Sequence, residues 1–162
     1  MCSSDLICIV LGSKSDLPVA NKCTAVLEEF GIDHEVRVAS AHRAPKYLEE
    51  VVEAALANGC KIFIGMAGMA AALPGVVASM TSLPVIGVPV GGKVPLDSLL
   101  SIVQMPPGMP VACVGVDRGD NAAVLAVQML ALGDEELAVR FSAWCAARTA
   151  GVIADDESLR EG

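Results

Sequence analysis

The chain of 162 residues is poor in aromatics: they make up 3%, with one Trp, one Tyr and three Phe. One Trp and one Tyr leave little to stack on an isoalloxazine ring, which sets aside a flavodoxin-type electron carrier. Basic residues are also few, 11 Lys and Arg against 19 Asp and Glu, for a formal net charge of -8. A nucleic-acid partner is therefore not expected, because nothing would neutralise a run of phosphates. A single phosphate held by a local site remains compatible with this balance. The two histidines, His34 and His42, are separated by a predicted strand and lack metal-ligand spacing, so no metal site is expected.

No two of the six cysteines form a Cys-x-x-Cys pair, and most lie in apolar surroundings. They read as reduced thiols acting as small hydrophobes in a cytoplasmic protein. The start, Met1-Cys2-Ser3-Ser4-Asp5, has no basic segment, and no signal peptide is expected. Neither a Walker P-loop nor GxGxxG occurs, so ATP and NAD are not indicated. From Ile62 to Gly92 there is no charged residue, a stretch that a hydropathy window would flag as a membrane span. Gly65, Gly68, Gly75, Gly87, Pro74, Pro84 and Pro89 divide it into short pieces, and no membrane association is expected. No linker, low-complexity tract or repeat interrupts the chain.

What is present is apolar: hydrophobic residues reach 54% and the mean hydropathy is +0.58. This suits one domain over residues 1–162 with a sizeable core. Apolar runs of strand length, 6–11, 32–39, 62–66, 85–88 and 111–116, alternate with helical patterns over 17–30, 45–58, 69–80, 96–103, 121–132 and 134–152. Pro74 is expected to interrupt the third helix. The rhythm calls for a parallel α/β sheet with helices on both faces. Within it, 5–133 is read as the core, 134–154 as an oligomerisation helix and 155–162 as a tail. The high hydropathy and the Phe141-Trp144 segment suggest more buried surface than a monomer supplies, hence a symmetric oligomer.

In such sheets ligands bind beyond the carboxyl ends of the strands. After the first strand stands Gly12-Ser13-Lys14-Ser15-Asp16, a glycine turn with two hydroxyls before a helix, suited to an anion. The ordinary reading makes Ser15 or Asp16 an N-cap. After the second stands Ser40-Ala41-His42-Arg43, which sets an imidazole fit for proton transfer beside a guanidinium fork fit for phosphate or carboxylate. After the third stands Ala67-Gly68-Met69-Ala70-Ala71-Ala72-Leu73-Pro74-Gly75, whose small residues allow close backbone approach or tight packing. Gly91 to Ser98 and Asp117 to Asn121 follow the last two strands, with Asp120 or Asn121 suited to cap a helix. Lys14, Arg37 and Lys93 add local positive charge, with solvated surface as their default reading. His34 reads as exposed and structural.

The runs GSKSD, SAHRAP, AGMAAALPGVVAS, PVIGVPV, DSLLSIVQMPPGMPV and NAAVLA resemble the PurE family of purine biosynthesis, over residues 6–154. The resemblance implies a flavodoxin-like three-layer sandwich, an octamer whose C-terminal helices pack on neighbouring subunits, and no metal or organic cofactor. It implies conversion of N5-carboxyaminoimidazole ribonucleotide to 4-carboxy-5-aminoimidazole ribonucleotide. By resemblance, Ser13, Ser40 and Arg43 match phosphate-holding positions, Asp16 the residue at the ribose hydroxyls, and His42 the proton-transfer residue. Ala41, Ala67, Gly68 and Leu73 match positions lining the base and carboxylate. Ala72 stands where the family's run carries His, Met69 where a Gly is common, and the segment from Val90 to Asp97 is short, with Pro95 in place of a Gly. Direct carboxylases of the family also tend to lack that His, but usually carry Lys where this chain has Arg43. Two alternatives stand beside the mutase: direct carboxylation of aminoimidazole ribonucleotide with CO2, and an impaired ribotide-binding relative.

Overall fold

The computed structural model describes residues 6–160. Five strands, β1 (Leu6–Leu11), β2 (His34–Val38), β3 (Cys60–Ala67), β4 (Val85–Pro89) and β5 (Ala112–Cys113), form one parallel sheet in the order β2-β1-β3-β4-β5. The helices between them are α1 (Leu17–Glu29), α2 (Pro45–Ala57), α3 (Leu73–Met80) and α4 (Pro95–Val103), followed by α5 (Gly119–Ala131) and α6 (Glu135–Arg160). The arrangement is α/β and flavodoxin-like.

Strand periodicity sends alternate side chains of β1 to opposite faces. Cys8 and Val10 join Phe63, Leu48, Val51 and Val52 of α2, Val77 of α3 and Ile102 of α4 in one buried cluster. Ile7, Ile9 and Leu11 are also fully buried, as are Ala20, Cys23 and Leu27 of α1. Burial on both faces explains why β1 reads as a continuous apolar run. Burial also pushes the Cys23 thiol up to about 12 and the Cys8 thiol higher still, consistent with packing groups rather than nucleophiles. Gly87 is the residue where α4 presses on β4: a side chain there would collide with Ile102.

The chain divides after Ala126 into two compact units. In the second, Asp134 caps α6 by accepting the Leu137 amide at 3.0 Å, and Phe141, Trp144 and Arg148 stack along one side of that helix. The helix runs to Arg160, past the expected end at Val152 and through most of the segment read as a tail; Glu161 and Gly162 lie outside the described residues. Among the described residues no helix is long and apolar enough to cross a membrane.

Four local expectations change. The fifth strand, expected over 111–116, is confined to Ala112–Cys113, after which the chain turns. The third helix starts at Leu73 rather than Met69, so Pro74 sits in its first turn, where the missing N–H costs nothing. Of the two N-cap candidates Asp16, not Ser15, stands at the N-cap of α1, without a side-chain cap bond there; the side-chain cap is made one turn earlier, by Ser13 on the 3₁₀ turn Lys14–Asp16, in a reciprocal capping box with Asp16. His34 is half-buried, its Nδ1 3.0 Å from the Ile32 carbonyl.

Candidate active site

The chain turns from one side of the sheet to the other at β1 and β3, and the crevice of such a fold opens beyond their carboxyl ends. A cavity of about 690 Å³ lies there. Its wall brings together Ser13, Asp16, Ser40, Ala41, His42, Arg43, Ala67, Gly68 and Leu73; of the three candidate basic residues Lys93 also lines it, and Lys14 and Arg37 do not. Gly12, Ser15, Met69, Ala70, Ala72 and the segment Val90 to Val94 complete it.

Two loops carry the polar side. After β1, the Gly12 amide bonds the Met66 carbonyl of β3, which holds the turn against the neighbouring strand end. Ser13 Oγ accepts from the Ser15 amide at 3.3 Å, while Asp16 Oδ2 accepts from the Ser13 amide at 3.0 Å. After β2, Ser40 Oγ accepts from both the Arg43 amide and Arg43 Nε. Arg43 Nη2 reaches across and donates to the Gly12 carbonyl at 3.1 Å. The guanidinium thus ties the two loops together and sets Ser13 and Ser40 on one rim. His42 is exposed on that same rim.

Asp16 is a carboxyl only 6% exposed. Burial pushes its pKa up, against the opposing pull of the Ser13 amide, the Ser15 hydroxyl and the Arg43 charge. A carboxyl raised in the folded state favours the native protein most below the unfolded pKa, and that contribution is lost as pH rises through the folded value. Asp16→Asn is therefore expected to be at least as stable as the parent at pH 7, with the difference shrinking as pH falls toward 4. Urea denaturation at the two pH values checks this; a parent more stable at pH 7 contradicts it.

The apolar side comes from β3 and the turn after it. Ala67 and Leu73 are buried and Gly68 is half-buried. Met69 adopts φ 55°, and the Ala71 and Ala72 amides bond the carbonyls of Met69 and Ala70, a tight turn whose residues Met69, Ala70 and Ala72 line the cavity before α3 begins. The sequence marked this stretch by its small residues but not by its bend. The wall from Val90 to Val94 was marked in the sequence by its position after β4, by Lys93 and, within the resemblance, by the shortness of the segment from Val90 to Asp97. Among the described residues no group of three His, Cys, Asp or Glu side chains is placed to hold a metal ion.

Fold and site together define a flavodoxin-like α/β protein with a cavity at the switch point of its sheet, rimmed by hydroxyls, one guanidinium and one imidazole. More narrowly, the chain belongs to the AIR carboxylase family, whose pattern matches residues 6–150. It is 54% identical over 157 residues to an N5-carboxyaminoimidazole ribonucleotide mutase of Methanocaldococcus jannaschii, a match covering 96% of this chain and 98% of that one. It is 44% identical over 160 residues to a chloroplastic phosphoribosylaminoimidazole carboxylase of Vigna aconitifolia, covering 98% of this chain but 29% of the plant protein. The crystal structure of Treponema denticola PurE superposes with a TM-score of 0.86 at 29% identity, covering 95% of this chain and 98% of that one.

Proposed function

We propose that this chain is an isomerase of purine biosynthesis that converts N5-carboxyaminoimidazole ribonucleotide to 4-carboxy-5-aminoimidazole ribonucleotide. The observation that carries the reading is the convergence of His42, Arg43, Ser40 and Ser13 on one rim of the switch-point cavity, in a chain so similar to a mutase of that name. Ser13, Ser40 and Arg43 hold the phosphate, and Asp16 accepts from the ribose hydroxyls. Ala41, Ala67, Gly68 and Leu73 enclose the base and its carboxylate.

The chemistry follows from those placements. The bond from N5 to the carboxyl carbon breaks, CO2 is released into the pocket, and N5 gains a proton. C4 then attacks the CO2 carbon, and the proton on C4 leaves. His42 gives the first proton and takes the second, so the imidazole ends as it began. The small apolar wall keeps bulk water from the CO2 between the two steps.

Ala72 favours keeping a second reading, direct carboxylation of aminoimidazole ribonucleotide with CO2, because it puts a methyl group on the pocket wall where the family's run carries an imidazole. Supplying the two carboxyl sources separately decides between them. The C4 carboxylate is expected from N5-carboxyaminoimidazole ribonucleotide at low bicarbonate. Product from aminoimidazole ribonucleotide and CO2 alone makes the chain a carboxylase. Tight ribotide binding without product from either source makes it an impaired relative.

We place the enzyme in the cytoplasm and in a homo-octamer. In support of the assembly, α4 exposes Leu96, Leu100 and Val103, spaced as one helix stripe, and α6 exposes Val139, Val152 and Ile153. A stable monomer by light scattering at micromolar concentration overturns the octamer.

A further inference from the structure

Beyond β5 the chain makes a contact that none of the residues assigned above explains. Asp117 adopts φ 57°, a left-handed conformation that Asp tolerates better than most side chains. Its amide donates to the Pro89 carbonyl at 2.8 Å, and its Oδ1 accepts from the Gly91 amide at 2.8 Å. In a parallel ladder, a residue opposite Val90 donates to the carbonyl of 89 and accepts from the amide of 91 through its own backbone carbonyl. Asp117 makes both bonds, but with its carboxylate in place of that carbonyl. The left-handed turn has swung its own carbonyl away, where Lys22 Nζ meets it at 3.1 Å.

The other edge of this extension is held as well. The Val90 amide bonds the Ala67 carbonyl of β3, and the Val90 carbonyl accepts from Ser98, a fully buried hydroxyl at the start of α4. Ala67, Val90 and Gly91 all line the cavity. Past Gly91 the chain is exposed, turns at Gly92 with φ 151°, and returns through Val94. The Gly91 amide bond to Asp117 is therefore the last fixed point on the way into this wall. A side chain at 91 would also press on the Asp117 carboxylate, its Cβ 2.5 Å from Oδ2.

We infer that Asp117 is a positioning residue of the active site: beyond the last β4–β5 pair, Gly87 with Cys113, its carboxylate completes a separate ladder-like pair opposite Val90 and fixes the point from which the Val90–Val94 wall leaves the sheet. The inference rests on the functional reading above.

Three substitutions separate the conformation from the hydrogen bond. Asp117→Gly keeps the left-handed backbone and removes the acceptor. Asp117→Asn keeps both, because the amide oxygen accepts as the carboxylate does. Asp117→Ala loses both. With N5-carboxyaminoimidazole ribonucleotide as substrate, Asp117→Gly is expected to raise KM and lower kcat together, for a combined loss of about 10–100-fold, the scale of a displaced positioning group. Asp117→Asn is expected to recover most of that loss, and Asp117→Ala to match or exceed it. Exchange of the Gly91 amide, followed by NMR, is expected to speed up in the Gly variant and not in the Asn variant. Full activity in Asp117→Gly alongside faster exchange at Gly91 overturns the inference, as does an Asn variant as impaired as Gly. Wild-type protein that neither binds nor turns over the ribotide overturns the functional reading, and the inference with it.

Discussion

Replacing His42 by Asn is expected to lower turnover by about 10²–10⁴-fold, the usual worth of a positioned general acid/base, while ribotide affinity and thermal stability stay near those of the parent. The side chain is exposed at the cavity rim, so its loss leaves the core intact. Isomerisation needs one proton delivered to N5 and one removed from C4, and an imidazole can hold either state near neutral pH. Asn matches much of the imidazole's shape and polarity but cannot carry a proton between the two atoms. His34, the other histidine, lies on β2 against the Ile32 carbonyl, outside the cavity wall. Steady-state kinetics with calorimetric titration of the ribotide separates the two effects. Unchanged turnover in His42→Asn removes His42 from the mechanism.

Arg43→Ala is expected to weaken ribotide binding by about 1.5–3 kcal/mol, the typical worth of a hydrogen bond to a charged group. The guanidinium does two things at once. It joins Gly12 to Ser40 across the gap between the β1 and β2 loops, and it brings a positive charge to the rim where both serines lie. An anion on that rim meets hydroxyls and a fork of N–H donors together. Calorimetric titration of the ribotide and of the dephosphorylated ribonucleoside tells phosphate recognition from general loosening: the loss is expected with the former and to be much smaller with the latter. Equal losses for both would mean that Arg43 holds the loops and not the phosphate.

Much of this site was legible along the chain because a parallel sheet converts strand ends into neighbours. β1 is buried on both faces, so its apolar run marked its bounds, and Gly12 to Asp16 followed at the mouth of the crevice. Ser40 to Arg43 followed from β2 by the same rule. The substrate itself came from the resemblance of whole runs, since an imidazole beside a guanidinium suits many anions. What stayed hidden depends on contacts distant in sequence or on backbone that defies propensity. Met69 to Ala72 has a helix-forming composition, yet it bends at Met69 to line the pocket. Such local disagreement is characteristic of functional positions. The Ser13 cap, by contrast, was legible: Ser13 and Asp16 stand at capping-box spacing, a signal passed over in favour of Ser15 or Asp16 as N-cap. Asp117 shows nothing in its neighbourhood in sequence, because its partner, Gly91, is on another strand's exit.

The central claim is that the carboxyl group passes from N5 to C4 inside this pocket, with His42 moving the protons. Substrate carrying carbon-13 in the N5 carboxyl, turned over in unlabelled bicarbonate, tests it most directly. The account predicts that the C4 carboxylate keeps the label, because the CO2 released is captured before it leaves the cavity. Product whose carboxyl comes from the unlabelled pool would contradict it.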